Sequence, residues 1–95
     1  MTNPLHYIPS VNPHYRLQWE EAQNCHVLLY PEGMIKFNGS AGEILAQVDG
    51  TRTISAIIKI LNEKFPSIEG LENDVLEFFN DAFEKRWLQH TDLTP

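Results

Sequence analysis

The sequence is poor in cysteine and in basic residues, and it contains no long hydrophobic run. Its single cysteine, Cys25, excludes an intramolecular disulfide, so the fold needs no oxidising compartment. Seven basic residues stand against thirteen acidic ones, a formal charge of -6 that repels nucleic-acid phosphates and anionic lipids. No segment approaches the roughly 18 apolar residues of a membrane span, and residues 1–6 lack signal-peptide character. We therefore expect a cytoplasmic protein that binds neither nucleic acid nor membranes.

Motifs for catalysis, nucleotide binding and metal binding are also missing. The sequence contains no GxGxxG, Walker A or GxSxG motif. Its four histidines are scattered without the spacing of metal ligands. Cys25 and His26 are adjacent, but neighbouring residues of a strand point to opposite faces, so they form a poor pair of nucleophile and base. We expect no catalytic residue, no metal and no cofactor.

The remaining composition indicates one folded domain. Ninety-five residues that are 42% hydrophobic and 21% charged can form one core, and the chain is too apolar to be disordered throughout. Prolines in the first 13 residues disfavour helix, so we interpret residues 1–13 as an extended or disordered arm. We expect the domain to span residues 14–90, followed by a tail over residues 91–95.

Three short segments predict strands. Residues 15–19 alternate apolar and polar side chains, the period of a half-buried strand. Residues 25–30 are rich in β-branched and aromatic side chains, and residues 30–33 suit a type I turn with a glycine bulge. Residues 34–37 then resume the strand pattern. We expect a three-stranded antiparallel sheet.

Three helices are predicted after the strands. Ser40 and Glu43 have the spacing of a capping box and begin the first helix. Thr53 caps the second, which ends before Pro66. The third spans about residues 71–87. Three strands followed by three helices predict an α+β, winged-helix-like fold.

The third helix has an apolar arc that covers about half its circumference, more than packing on one core needs. Either the helix packs on two sides of a small domain, or part of the arc faces a partner. Its acidic residues lie on the polar face, and we interpret them as solvated surface.

Several segments between residues 14 and 90 match a known family. They are residues 16–20 (RLQWE), residues 26–38 (HVLLYPEGMIKFN), residues 41–45 (AGEIL) and the pair Asp49-Gly50. With these motifs the chain resembles the PqqD family. The resemblance implies a non-catalytic peptide chaperone of pyrroloquinoline quinone (PQQ) biosynthesis. Such a domain binds the precursor peptide PqqA and presents it to the radical-SAM enzyme PqqE.

The resemblance also implies where the peptide binds. In this family the peptide pairs as an extra strand with the third strand, and its side chains enter a cleft beside the third helix. Carried over to this sequence, the peptide-binding residues are Met34, Ile35, Lys36, Phe37 and Asn38 on the strand, and Val75, Phe79 and Phe83 on the helix. Unpaired N–H and C=O groups of a strand edge can accept an added strand. The same strand also fits a plain edge that Lys36 protects from aggregation.

Two other functions compete with peptide binding. A winged-helix transcription regulator would present the third helix to DNA, but this helix carries five acidic residues against Lys85 and Arg86. A small enzyme would need titratable groups that converge in a pocket, and no pattern indicates them. The sequence leaves open whether the protein is a monomer or a homodimer, and whether subunits exchange the arm.

Overall fold

The computed structural model describes residues 3–37 and 39–92, and Asp92 by its backbone alone. A short 3-10 helix, Pro4–His6, comes first. The strands and helices that follow, in chain order, are β1 (Tyr7–Val11), β2 (Arg16–Glu20), β3 (Cys25–Tyr30), β4 (Gly33–Phe37), α1 (Gly39–Leu45), α2 (Ile54–Lys64), α3 (Leu71–Glu84) and β5 (Leu88–Asp92).

The three predicted strands form an antiparallel sheet in the order β2-β3-β4. The register aligns Leu17 with Leu28 and Leu28 with Ile35, so these apolar side chains share one face. Leu28 is fully buried in the core, where it joins buried residues of α2 and α3 such as Ile57 and Val75. The sheet and the three helices after it confirm the α+β, winged-helix-like prediction.

The first two helices begin differently. At the start of α2, the Thr53 hydroxyl accepts a hydrogen bond from the Ala56 N–H at 3.1 Å, which confirms the predicted cap. The capping box expected in α1 is replaced by another contact: α1 begins at Gly39, and Glu43 Oε2 accepts a hydrogen bond from Lys64 Nζ at 3.0 Å. This contact ties α1 to the end of α2.

Between these helices, the carboxylate of Asp49 holds the turn. It accepts hydrogen bonds from the backbone N–H groups of Thr51 and Arg52, at 2.9 and 3.0 Å. These two donors, with the Thr51 hydroxyl, lower the pKa of the Asp49 carboxyl below its usual value.

The third helix ends three residues before the predicted boundary, in a turn that contains no glycine. Arg86 has a φ of 64°, its N–H bonds to the Phe83 carbonyl, and the Trp87 N–H bonds to the Ala82 carbonyl at 3.0 Å. These bonds form a Schellman motif, whose left-handed position is usually glycine. Asn12 Nδ2 donates to the Arg86 carbonyl at 2.7 Å and holds the turn from outside.

The first residues of the chain differ from the arm expected outside the domain. β1 pairs antiparallel with β5, from Tyr7 opposite Asp92 to Val11 opposite Leu88, and forms a separate two-stranded sheet. Leu5, Tyr7 and Val11 pack against the hydrophobic core. The structure therefore makes these residues part of the packed domain.

None of the helices in residues 3–37 and 39–92 combines the length and the apolar character that crossing a bilayer requires.

Candidate functional site

The outer edge of β4 is the first component of the candidate site. β4 is the last strand of the three-stranded sheet and pairs only with β3 among the described strands. Met34, 46% exposed, and Lys36 point away from the core, whereas Phe37 is buried at the end of the strand. Because the N–H groups of a strand alternate in direction, about half of those in β4 point to its unpaired edge. This edge can accept a further strand.

A cleft of about 840 Å³ begins where β4 ends. Its sheet side is the cross-strand row Trp19, His26 and Phe37, one residue from each strand. Residues of α1, the end of α2 and the first half of α3 form the other walls. Trp19 and Ile68 also line it and are about half exposed, at 49% and 48%. The cleft therefore offers apolar surface to a ligand.

Aromatic rings join β4 to α3 beside this cleft. The ring of Phe37 lies edge-on to Phe78, with centroids 6.3 Å apart, and edge-on to Trp87 at 5.3 Å. Such contacts are favourable arrangements of aromatic rings. Phe78 is half-buried and lines the cleft, so a ligand could contact its remaining exposed surface.

A buried glycine lets α1 lie directly on the end of β4. A Cβ atom on Gly42 would come within 2.7 Å of the Phe37 carbonyl oxygen, closer than real Cβ contacts allow. Because that neighbour is backbone, it cannot rotate away. The glycine of the AGEIL segment therefore has a physical role that the resemblance alone did not indicate, because it allows the close approach of α1 to the end of β4.

The cleft contains one carboxylate without a cationic partner among the described residues. Glu43 and Lys64 line the cleft and form an ion pair at 3.0 Å. Asp74, in the first turn of α3, also lines the cleft and is exposed, and within residues 3–37 and 39–92 its side chain makes no ion pair or hydrogen bond. The unpaired charge of the cleft is therefore negative.

The residues that the resemblance assigned to peptide binding lie in different parts of the structure. Those on the strand lie along the β4 edge, except Asn38, which lies outside the described residues. On α3, Val75 is 0% exposed and forms the inner wall of the cleft. Phe79 is 1% exposed, and Phe83 packs against His90 of the two-stranded sheet, with ring centroids 4.7 Å apart. Neither phenylalanine lines the cleft that begins at β4.

Besides the predicted Phe37 and Val75, residues that the sequence did not assign to the site line the cleft, chiefly Phe78, Asp74, Trp19 and His26. The helical period puts Phe78 on the apolar arc of α3, but it does not show which part of that arc stays uncovered. The two-stranded sheet packs against the side of α3 that carries Phe83, whereas the cleft at β4 lies on the side that carries Phe78 and Asp74.

The fold and this site define a winged-helix-like recognition domain with an open strand edge beside an apolar cleft. The family model for Coenzyme PQQ synthesis protein D (PqqD) matches residues 25–88. The chain therefore belongs to the PqqD family, as its motifs had indicated.

Relatives and a solved structure agree with this assignment. The chain is 56% identical to the PqqA binding protein of Azotobacter vinelandii and 51% identical to that of Stutzerimonas stutzeri, in each case over 90% of this chain and 92% of the relative. Its fold matches the solution structure of the PqqD part of Methylobacterium extorquens PqqCD, a RiPP recognition element, with a TM-score of 0.67 and 33% identity. That match covers 85% of this chain and 87% of the other.

Proposed function

We propose that this protein is a peptide chaperone of PQQ biosynthesis that binds PqqA and presents it to the radical-SAM enzyme PqqE. The observation that carries the proposal is the free edge of β4, which leads into an apolar cleft. Supporting it, the relatives that share half or more of the sequence bear the name PqqA binding protein. The chain acts by binding and performs no turnover of its own.

In this proposal PqqA adds to β4 as a fourth antiparallel or parallel strand over residues 34–37. Main-chain hydrogen bonds supply affinity, and alternate side chains of the peptide enter pockets and supply specificity. The exposed surface of Phe78 receives such a side chain. The buried Val75 and Phe79 support that wall from beneath, and Phe83 anchors α3 to the two-stranded sheet.

Strand addition also suits presentation to a second protein. A bound strand uses one of its two hydrogen-bonding edges, and the residues beyond the paired segment stay free. PqqE can therefore reach the peptide while the chaperone holds it. The peptide pays an ordering cost on binding, so we expect a dissociation constant of roughly 0.1–10 µM, about 7 to 9.5 kcal/mol.

Titration of the ¹⁵N-labelled protein with unlabelled PqqA tests the site. We expect the largest amide shifts over residues 34–37, at Phe78 and along the cleft. The strands β1 and β5 line no part of the cleft and serve as an internal control with small shifts. Calorimetry gives the affinity. No heat and no shift at about 100 µM peptide would contradict the chaperone function, given the affinity expected above.

A separate assay addresses the enzyme. Conversion of PqqA by PqqE should rise when the chaperone is added, and a Phe78→Ala variant that no longer holds the peptide should not support the increase. If PqqE converts PqqA equally well without the chain, the presentation step is wrong even where peptide binding is real.

A further inference from the structure

We propose that Asp74 determines the specificity of the cleft and selects a peptide segment that carries a lysine or arginine between apolar side chains. The inference rests on the proposed peptide-binding function and concerns which segment the site prefers. Among the charged side chains lining the cleft, Glu43 and Lys64 neutralise each other at 3.0 Å, and Asp74 remains without a partner in the described part of the chain.

The position of Asp74 on α3 indicates the kind of side chain it would contact. Asp74 lies four residues before Phe78, so the two side chains are neighbours on the same face of the helix, and both line the cleft. A ligand there meets an aromatic surface next to a carboxylate. Lysine and arginine match this pair because their aliphatic stems pack on apolar surface while the cation reaches an acid.

Strand geometry sets the neighbours of this basic residue. In an extended peptide, side chains two positions apart point to the same side. The residues two before and two after the cation therefore point to the same side, where β4 presents Phe37 and the half-buried Ile35 on the face that leads into the cleft. The preferred ligand is an extended segment in which apolar side chains flank one cation at that spacing.

Charge on the rest of the molecule favours the same ligand. The chain carries a formal charge of -6. Glu77 is exposed one turn along α3 from Asp74, while Asp81 further on is paired with Lys85 at 3.0 Å. A field of this sign accelerates the approach of a basic segment and opposes an acidic one.

A structural role for Asp74 competes with this inference, and the chain offers a matched control. Asp74 and Glu72 are both exposed acidic residues in the first turn of α3, where negative charge stabilises the positive end of a helix. Only Asp74 lines the cleft. Neutralising each in turn removes the same charge from the helix, but only one of the changes affects the site.

Calorimetry with PqqA compares Asp74→Asn with Glu72→Gln, and thermal melting checks that both variants fold. We expect Asp74→Asn to weaken binding about three- to tenfold, as for a charge pair at a partly desolvated site, and Glu72→Gln to change it less than about twofold. Peptides in which each lysine or arginine is replaced in turn by glutamine then locate the contact. One replacement should weaken binding to the wild-type chain and have little effect on Asp74→Asn.

The outcomes separate the two hypotheses. Equal losses for Asp74→Asn and Glu72→Gln, or equal effects of every peptide replacement on both chains, would overturn the role of Asp74 while peptide binding itself stands. A wild-type chain that binds no PqqA would overturn the proposed function, and this inference with it. Recovery of affinity when Asp74→Lys meets a peptide with glutamate at the coupled position would support the direct contact.

Discussion

The two halves of α3 carry similar aromatic side chains but pack against different neighbours. In the first half, Phe78 and Asp74 stand at the wall of an open cleft. In the second half, Phe83 lies 6.2 Å from the ring of Tyr7 and 4.7 Å from that of His90, both in the two-stranded sheet. The comparison shows that the two halves of the wide apolar arc of α3 have different surroundings. The arc packs on two sides of the domain, and it also leaves an apolar surface open.

The largest expected effect on stability concerns two adjacent residues of α3. Phe79→Ala removes a ring that is 1% exposed, so we expect a loss of about 3 to 5 kcal/mol in the free energy of unfolding. Phe78→Ala removes a half-buried ring of the cleft wall and should cost clearly less stability while it weakens PqqA binding. Denaturant unfolding and calorimetry measure the two quantities. Equal destabilisation by both changes would mean that Phe78 belongs to the core and that the cleft wall lies elsewhere.

A smaller effect is expected where α1 meets β4. Gly42→Ala forces a Cβ atom against the Phe37 carbonyl, so α1 and the end of β4 must shift apart and change the shape of the cleft, at a cost of about 1 to 3 kcal/mol. Gly70→Ala is the control, because Gly70 has a φ of 73°, does not line the cleft, and an added Cβ would meet no described atom within 4 Å beyond its chain neighbours. Its cost comes from backbone strain alone. Peptide affinity should fall for Gly42→Ala beyond what its stability explains, and a fall of the same size for Gly70→Ala would contradict this.

The next largest effect is expected at the edge of β4 and concerns PqqA binding. Lys36→Pro removes a backbone donor and fixes φ, so PqqA binding should fall about tenfold if the edge is the docking strand. Lys36→Ala keeps the backbone and should bind almost normally. Thermal melts must accompany both titrations, because proline can also weaken the pairing of β4 with β3. Unchanged affinity in a folded Lys36→Pro variant would indicate a plain edge strand.

The smallest effect lies at the far end of α3. Arg86 has the left-handed conformation that glycine adopts without strain, so Arg86→Gly should stabilise the fold by about 0.5 kcal/mol. PqqA affinity should not change, since Arg86 does not line the cleft at β4. The midpoint of denaturant unfolding measures the gain. A lower midpoint would show that the arginine side chain contributes packing worth more than the strain.

The parts of the fold that could be predicted from sequence depend on local patterns. The alternation in β2 and the Thr53 cap of α2 involve residues close together in the chain, so the sequence alone predicts both elements. The pairing of Tyr7 with Asp92 joins distant segments, and Pro9 inside β1 argues against a strand. It is tolerated because β1 pairs with a single strand, β5.

The same distinction between local and distant contacts applies to the candidate site. The β4 edge follows from a turn and a strand pattern that are contiguous in sequence. The helix flank depended on which side of α3 stays uncovered, and that is decided by the unforeseen two-stranded sheet over Phe83. Asp74 was interpreted as one of several surface acids, because its unpaired state in a cleft is a property of the three-dimensional arrangement alone.

The pairing of β1 with β5 also has a topological consequence. Since the first strand and the last strand run antiparallel, Tyr7 and Asp92 are direct cross-strand neighbours. A circularly permuted version that links Asp92 to the start of the 3-10 helix, and is opened at the exposed residues 21–23, should keep the contact of Leu5 with the core as well as the pairing of β1 with β5. A domain inserted in that linker would lie beside the two-stranded sheet, whose described residues line no part of the cleft.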